Sequence, residues 1–144
     1  SGIEPIFALS FSRKHVLGGR ELPEIHPSVL GELRARNLSG PWLQEIMRTG
    51  SVRGIDDLPE ELRKRYATAL EIAPEWHVRM QAAFQRHCDN GVSKTVNLPF
   101  GSSPADVESI YRLAHKLGCK GITVYRDRSR SAQVLNIGCA GGCA

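Results

Sequence analysis

The residues in this sequence best placed to do chemistry are a cysteine pair and a few charged groups beside apolar runs. Cys139 and Cys143 stand four positions apart in Gly138-Cys139-Ala140-Gly141-Gly142-Cys143-Ala144. Thiols so spaced on a glycine-rich stretch can close a disulfide without a folded frame. They can also reach another site and exchange with its disulfide, which needs a mobile, accessible thiolate. Two other readings stand beside this one. The pair is half a zinc site, although zinc wants four ligands and no second Cys/His pair is visible, or it is a chain end without a role. Cys88 and Cys119 are isolated. Cys88 falls on the apolar stripe of a helix and Cys119 between a helix cap and a strand, so both read as structural. His15, His26, His77, His87 and His115 lack metal-ligand spacing and read as surface or packing residues; no metal is expected. Glu4 is a carboxylate between Ile3 and Pro5. Buried carboxylates are rare unless paired, so it is either hydrogen-bonded structure or site lining. Arg126-Asp127-Arg128-Ser129-Arg130 follows a strand and either faces phosphate or is a solvated loop. No phosphate-cradling glycine loop, catalytic triad or HExxH pattern occurs.

These groups need elements to hold them. Pro5–Arg13 reads as a strand, and Gly18, Gly19 and Pro23 make 14–24 a loop. A short helix is expected over Pro27–Asn37. A second starts at Ser39-Gly40-Pro41, carries Trp42, Leu43, Ile46 and Met47, and stops at Gly50. Acids at Asp57, Glu60 and Glu61 ahead of Arg63, Lys64 and Arg65 suit the dipole of a third, running to about Glu71. A fourth begins at Pro74, where Trp76, Met80, Ala83 or Phe84, and Cys88 recur at helical spacing as a buried stripe of core packing. Val92–Leu98 alternates like a strand. Ser103, Pro104 and Asp106 open a helix whose Val107, Ile110, Tyr111, Ala114 and Leu117 share a face, with Gly118 at its end. Gly121–Arg126 is then a short buried strand. Such strand–helix–strand units join parallel strands, and in α/β folds ligands sit at the strands' carboxyl ends. That rule selects Asn97, Leu98, Pro99 and Phe100, and Tyr125, Arg126 and Asp127. After Arg130 the charge thins, and 131–144 reads as a flexible tail.

Composition narrows the classes. The 144 residues are 41% hydrophobic and 24% charged, as in a globular protein rather than a disordered or fibrous one. Apolar runs such as Ile6–Leu9 are too short to span a bilayer, so no membrane partner is expected. The net charge of +4 permits a phosphate-bearing ligand. Scattered basic residues and 6% aromatics argue against nucleic acid. Few cysteines and no signal peptide make a reducing cytoplasm the expected compartment. Opening directly on Ser1-Gly2-Ile3-Glu4-Pro5-Ile6 reads as a start inside a domain, from a split gene or an intein junction.

Three segments resemble a known family. SGIEPIFAL at 1–9, the 26-residue run PEWHVRMQAAFQRHCDNGVSKTVNLP from Pro74 to Pro99, and LGCKGITVYRDRSR from Leu117 to Arg130 resemble adenosylcobalamin-dependent (class II) ribonucleotide reductase. Their order matches the C-terminal part of its catalytic chain, over roughly Ser1 to Gln133. The resemblance implies an α/β fold in which residues 1–130 are the C-terminal portion of a ten-stranded α/β barrel, its last strands and connecting helices. Residues 131–144 would be a flexible redox tail.

The family converts ribonucleotides to 2′-deoxyribonucleotides. Adenosylcobalamin leads to a cysteine thiyl radical that abstracts the 3′ hydrogen, and two further cysteines supply electrons and form a disulfide. A C-terminal cysteine pair restores them and is recharged by a thioredoxin-like donor; Cys139 and Cys143 stand where that pair would be. Glu4, Pro5, Asn97, Leu98, Pro99, Phe100, Val124, Tyr125 and Arg126 would line the substrate end. The radical cysteine, active-site cysteine pair and phosphate loop belong upstream. This fragment alone should therefore be inactive and needs the missing N-terminal part as its partner, covalently or as a subunit. Val124 before Tyr125 breaks the adjacent tyrosines of class I relatives, which suits a cobalamin enzyme. Arg128 stands where glycine is usual, and Gly91 where alanine is usual. The competing readings are a class I large-chain fragment, a non-catalytic remnant, and a small basic nucleic-acid-binding module.

Overall fold

Proline and glycine set many of the element boundaries. Four helices begin on a proline: α1 (Pro27–Ala35), α2 (Pro41–Thr49), α4 (Pro74–Gln85) and α5 (Pro104–Lys116). Proline suits that place because the first turn leaves its N–H groups unpaired anyway. Gly50 caps α2 at φ 71° and Gly118 follows α5 at φ 76°, the left-handed backbone that glycine adopts without a Cβ penalty. Ser103 closes a capping box with Asp106 at the start of α5. The remaining helix is α3 (Glu60–Arg65), and the strands are β1 (Ser10–Val16), β2 (Arg20–Ile25), β3 (Thr95–Leu98), β4 (Thr123–Arg126) and β5 (Asn136–Ile137). The computed structural model describes residues 2–16, 20–37, 40–129 and 136–137. None of its helices is long and apolar enough to cross a membrane.

The chain divides into two units. The hairpin unit takes in Ile6–Thr68 and β5. Its sheet is antiparallel in the order β2-β1-β5. Ser10 pairs with Ile25, Arg13 with Leu22, and Phe11 with Ile137 on the other side. Leu9, Val29, Leu33, Ile46, Val52, Ile55, Leu58, Leu62 and Tyr66 form an apolar core. The Leu9 N–H donates to Gly50 O at 2.8 Å and its carbonyl accepts from His26 N at 2.8 Å, fastening the chain ahead of β1 to the end of α2 and the start of α1.

Several expectations change here. The strand expected over Pro5–Arg13 starts at Ser10 and continues to Val16. Most of the expected 14–24 loop is strand, with Pro23 paired to Ser12. Pro23 is compatible because β2 ends the sheet order, and an edge strand tolerates a missing N–H. Gly18 and Gly19, which suggested the loop, lie outside the described residues. Within the expected tail, Asn136 and Ile137 pair with β1; the remainder of 131–144 lies outside the described residues. α3 stops at Arg65 rather than near Glu71. Tyr66 caps it, its N–H turned onto the Leu62 and Lys64 carbonyls, and the Ala69 carbonyl beyond is met by the His77 ring.

The crossover unit comprises Ser1–Pro5 and Ala69–Ser131. β3 and β4 are parallel, with Thr95 opposite Thr123 and Leu98 opposite Arg126, and α5 connects them as expected. α4 packs on both β3 and α5. The core is Val78, Val96, Leu98, Ile110 and Ala114, with Cys119 packed against it. The described residues thus hold a parallel pair and an antiparallel sheet, not a complete barrel. β4 is half-buried rather than buried, and Tyr111 is 50% exposed, off the buried face of α5.

The largest reversal is on α4. The stripe expected to be core is exposed: Trp76 by 61%, Met80 and Phe84 by 47% each, and Cys88 beyond the helix end is exposed too. The buried face instead carries His77, Val78, Gln81, Ala82 and Gln85. Apolar residues occupy both sides of α4, and periodicity alone does not say which side has carbonyls to satisfy.

Candidate functional site

Two clusters of functional groups sit at opposite ends of β3. The first lies where β3 and β4 finish. Leu98 faces Arg126 across the ladder, and Asp127 N donates to Leu98 O at 2.9 Å, extending the pairing one step. Arg126 Nη1 donates to Phe100 O at 3.0 Å. Its guanidinium lies 5.7 Å from the centre of the Phe100 ring, and that of Arg128 lies 5.8 Å from it. Two cations thus flank an aromatic ring that is itself 57% exposed. Guanidinium forks suit phosphate and a ring face suits a base, so this end can meet a nucleotide. Of the expected lining residues, Pro99 and Phe100 are exposed, and Val124, Tyr125 and Arg126 are half-buried. Asn97 and Leu98 are buried. Arg128 has φ 55°, the left-handed region. Glycine adopts that geometry without a Cβ penalty, so arginine carries a backbone cost there.

The second cluster is at the start of β3. Glu4 Oε2 accepts from Lys94 Nζ at 2.8 Å, and Oε1 accepts from Thr95 N at 2.7 Å. Lys94 Nζ also lies 3.1 Å from His77 Nδ1 and donates to Thr95 O at 3.2 Å. His77 Nε2 lies 3.0 Å from Ala69 O. A carbonyl can only accept, so Nε2 carries the proton and Nδ1 accepts from Lys94. The Lys94 side chain is 1% exposed. Burial drives the His77 pKa down, and the Lys94 charge pushes the same way, against its contacts with Ala69 and Glu4. Burial pushes the Glu4 carboxyl up, but the hydrogen bonds from Lys94 and Thr95, with the Lys94 charge, outweigh it and hold it below its ordinary value. The result is a neutral imidazole, an ammonium and a carboxylate in one chain.

Glutamines extend this framework. Gln81 Nε2 donates to Val92 O at 2.8 Å and Gly121 O at 2.7 Å, tying together the approaches to both parallel strands. Gln85 donates to Cys88 O and Asn90 O, and accepts from Val92 N at 3.0 Å. Their spacing with His77, at i, i+4 and i+8, was a readable sign of a polar helix face. Lys94 likewise shared the alternation of Val96 and Leu98. Composition gave no reason to bury either set.

The structure therefore separates the expected site residues. Asn97 to Phe100 and Val124 to Arg126 gather at one end of the pair, while Glu4 reaches the other, three residue steps and about 10 Å along the strand. Pro5 and Glu4 border an apolar groove of about 610 Å³ with Ile72, Trp76, Met80 and Phe84. Cys139 and Cys143 lie outside the described residues.

The sequence profile described as ribonucleotide reductase, barrel domain, matches residues 1–125. This chain belongs to that family. Over 97% of its length it is 51% identical to a protein of Thermoplasma acidophilum named vitamin B12-dependent ribonucleoside-diphosphate reductase. A protein of the same name from Mycobacterium tuberculosis is 50% identical over 94% of the chain. The barrel-domain chain spans only 18% and 20% of the length of those relatives. Among solved structures, an Actinobacillus ureae class Id ribonucleotide reductase alpha subunit superposes with a TM-score of 0.68 at 21% identity, over 87% of this chain and 22% of that subunit. At that identity the likeness establishes the fold alone.

Proposed function

We propose that this chain is the C-terminal part of the catalytic chain of an adenosylcobalamin-dependent ribonucleotide reductase, the complete enzyme converting ribonucleotides to 2′-deoxyribonucleotides. The observation that carries the reading is 51% identity across 97% of the chain to a reductase named as B12-dependent. Residues 1–130 would belong to the barrel, with Pro99, Phe100, Val124, Tyr125 and Arg126 near the substrate. The exposed Phe100 ring between Arg126 and Arg128 supports that placement. Glu4 would act from the opposite strand end, fixing Thr95 and hence the strand that carries Leu98 to the site.

At the Glu4 cluster the residues present do not fit a ligand to the cofactor's cobalt. The groove beside Glu4 is lined mainly by carbon, and both ring nitrogens of His77 are engaged, by Ala69 O and Lys94 Nζ, leaving none to hold cobalt. When bound to the complete enzyme, the cofactor would initiate the thiyl radical chemistry; no step of this chain runs through it. The partner is the missing N-terminal part of the reductase, covalent or as a subunit.

The tail would supply electrons. A thiolate of Cys139 or Cys143 attacks the active-site disulfide, giving a mixed disulfide and one released thiolate. The second tail thiolate then attacks the mixed bond, leaving a reduced active site and an oxidised tail. A thioredoxin-like dithiol takes up that disulfide in turn. In the complete reductase, Cys143→Ser should abolish thioredoxin-driven turnover, because the mixed disulfide then has no second tail thiolate to resolve it. Turnover driven by a small dithiol should persist, because such a reagent enters the site directly. Unchanged thioredoxin-driven rates would remove the tail from the electron path.

A further inference from the structure

The exposed side of α4 has no use in the reading above. Trp76, Met80 and Phe84 follow one another at i, i+4 and i+8, and they are 61%, 47% and 47% exposed. With Ile3, Ile72 and Ala83 they wall a groove of about 610 Å³. The other side of the same helix is already buried on β3 and α5. A surface helix needs one apolar stripe, toward its own core; α4 carries a second apolar row on the side turned away from it. Three large half-exposed side chains in contiguous turns exceed the scattered apolar residues that ordinary surfaces carry.

We infer that this face is the seat of the remainder of the reductase polypeptide, which lays an apolar segment against Trp76, Met80 and Phe84. This rests on the reductase reading. Three observations choose the occupant. The chain spans 18% of a relative with which it shares 51% identity, so most of the working protein lies outside it. β3 and β4 form a two-stranded parallel sheet that no other described strand joins, and parallel sheets occur buried within larger assemblies. Gly2 and Ile3 themselves line the groove, so its wall is continuous with the segment that leads to Glu4 and β3. The Glu4–Lys94–His77 cluster would then close over as the face is covered, removing the residual 27% exposure of the Glu4 side chain.

The test is residue-resolved hydroxyl-radical footprinting of the complete reductase, with a synthetic peptide of residues 66–86, which holds all three side chains, as the reference for intrinsic reactivity. A seated polypeptide should slow modification of Trp76, Met80 and Phe84 at least tenfold relative to the peptide. Rates near half those of the peptide, as the exposures here imply, would overturn the inference. Protection that disappears on dilution, in step with dissociation of a dimer in the ultracentrifuge, would overturn it by assigning the face to a second copy. Cobalamin-dependent turnover measured on the same sample separates the two readings. Protection without turnover keeps the covered face and removes the reductase reading. Turnover with an open face does the reverse.

Discussion

The two units stabilise themselves differently. The hairpin unit is held by carbon: nine residues from Leu9 to Tyr66 form its core, while its ion pairs, such as Arg36 with Glu32 and Glu61, sit at the surface. Such surface pairs contribute little. The crossover unit has a smaller apolar core and buries His77, Gln81, Gln85, Lys94 and Asn97 beside it. It spends its interior on fixing where β3 and β4 begin. The lesson is that polar burial marks the unit whose strand ends must be placed accurately, and apolar burial marks the unit that only has to persist.

The contrast can be broken by mutation. In the hairpin unit, Leu62→Ala should cost about 2–5 kcal/mol by cavity formation. Amide exchange of α3 and its core neighbours in the complete reductase should accelerate accordingly, by a similar amount at pH 5 and pH 8. An effect confined to low pH would contradict a core built from Leu9, Val29, Ile46 and their apolar neighbours. In the crossover unit, Glu4→Gln leaves the Lys94 charge buried without its carboxylate, at a cost of about 3 kcal/mol. Exchange at Thr95–Leu98 should rise about a hundredfold, and an unchanged rate would mean that Glu4 does not brace the strand.

Acidity should sharpen the difference further. Unfolding returns His77 towards 6.5 and Glu4 towards 4.5, both above their folded values. The unfolded chain therefore takes up more protons as pH falls through 6.5 and then 4.5. The protective contribution of the cluster is complete above pH 6.5 and is lost on acidification. Exchange protection of β3 should fall between pH 7 and 4 while that of α1 and α2 holds. Parallel loss in both units would refute a cluster-specific effect. The smallest expected change is Arg128→Gly, which relieves a left-handed residue at φ 55°. It should slow exchange around Ser129 by an amount corresponding to about 1 kcal/mol, and a decrease in protection would show that the Arg128 contact with Phe100 outweighs the backbone cost.

Family and local elements were legible from residues alone. SGIEPIFAL, the run to Pro99 and the VYRDR end gave the reductase family, which the match over residues 1–125 bears out. The prolines at 27, 41, 74 and 104, Gly50 and Gly118, and the Ser103–Asp106 box gave helix ends, because each acts within one turn of itself. The parallel β3–α5–β4 unit was legible for the same reason: its strand and helix periods are local, and its pairing follows from the connection.

What the sequence did not determine depended on partners far along the chain. Pro5–Leu9 has strand-like residues but pairs with no strand among the described residues, whereas Arg20–Glu24 looks like a loop and is held by β1. α4 has apolar residues on two sides, and the choice between them fell to carbonyls at Ala69, Val92 and Gly121 that only its polar side can satisfy. Glu4 meets Lys94 across 90 positions. No local pattern encodes that encounter: burying a charge is favourable only where the fold brings its counter-charge and hydrogen-bond partners to it, and that is a property of the tertiary structure.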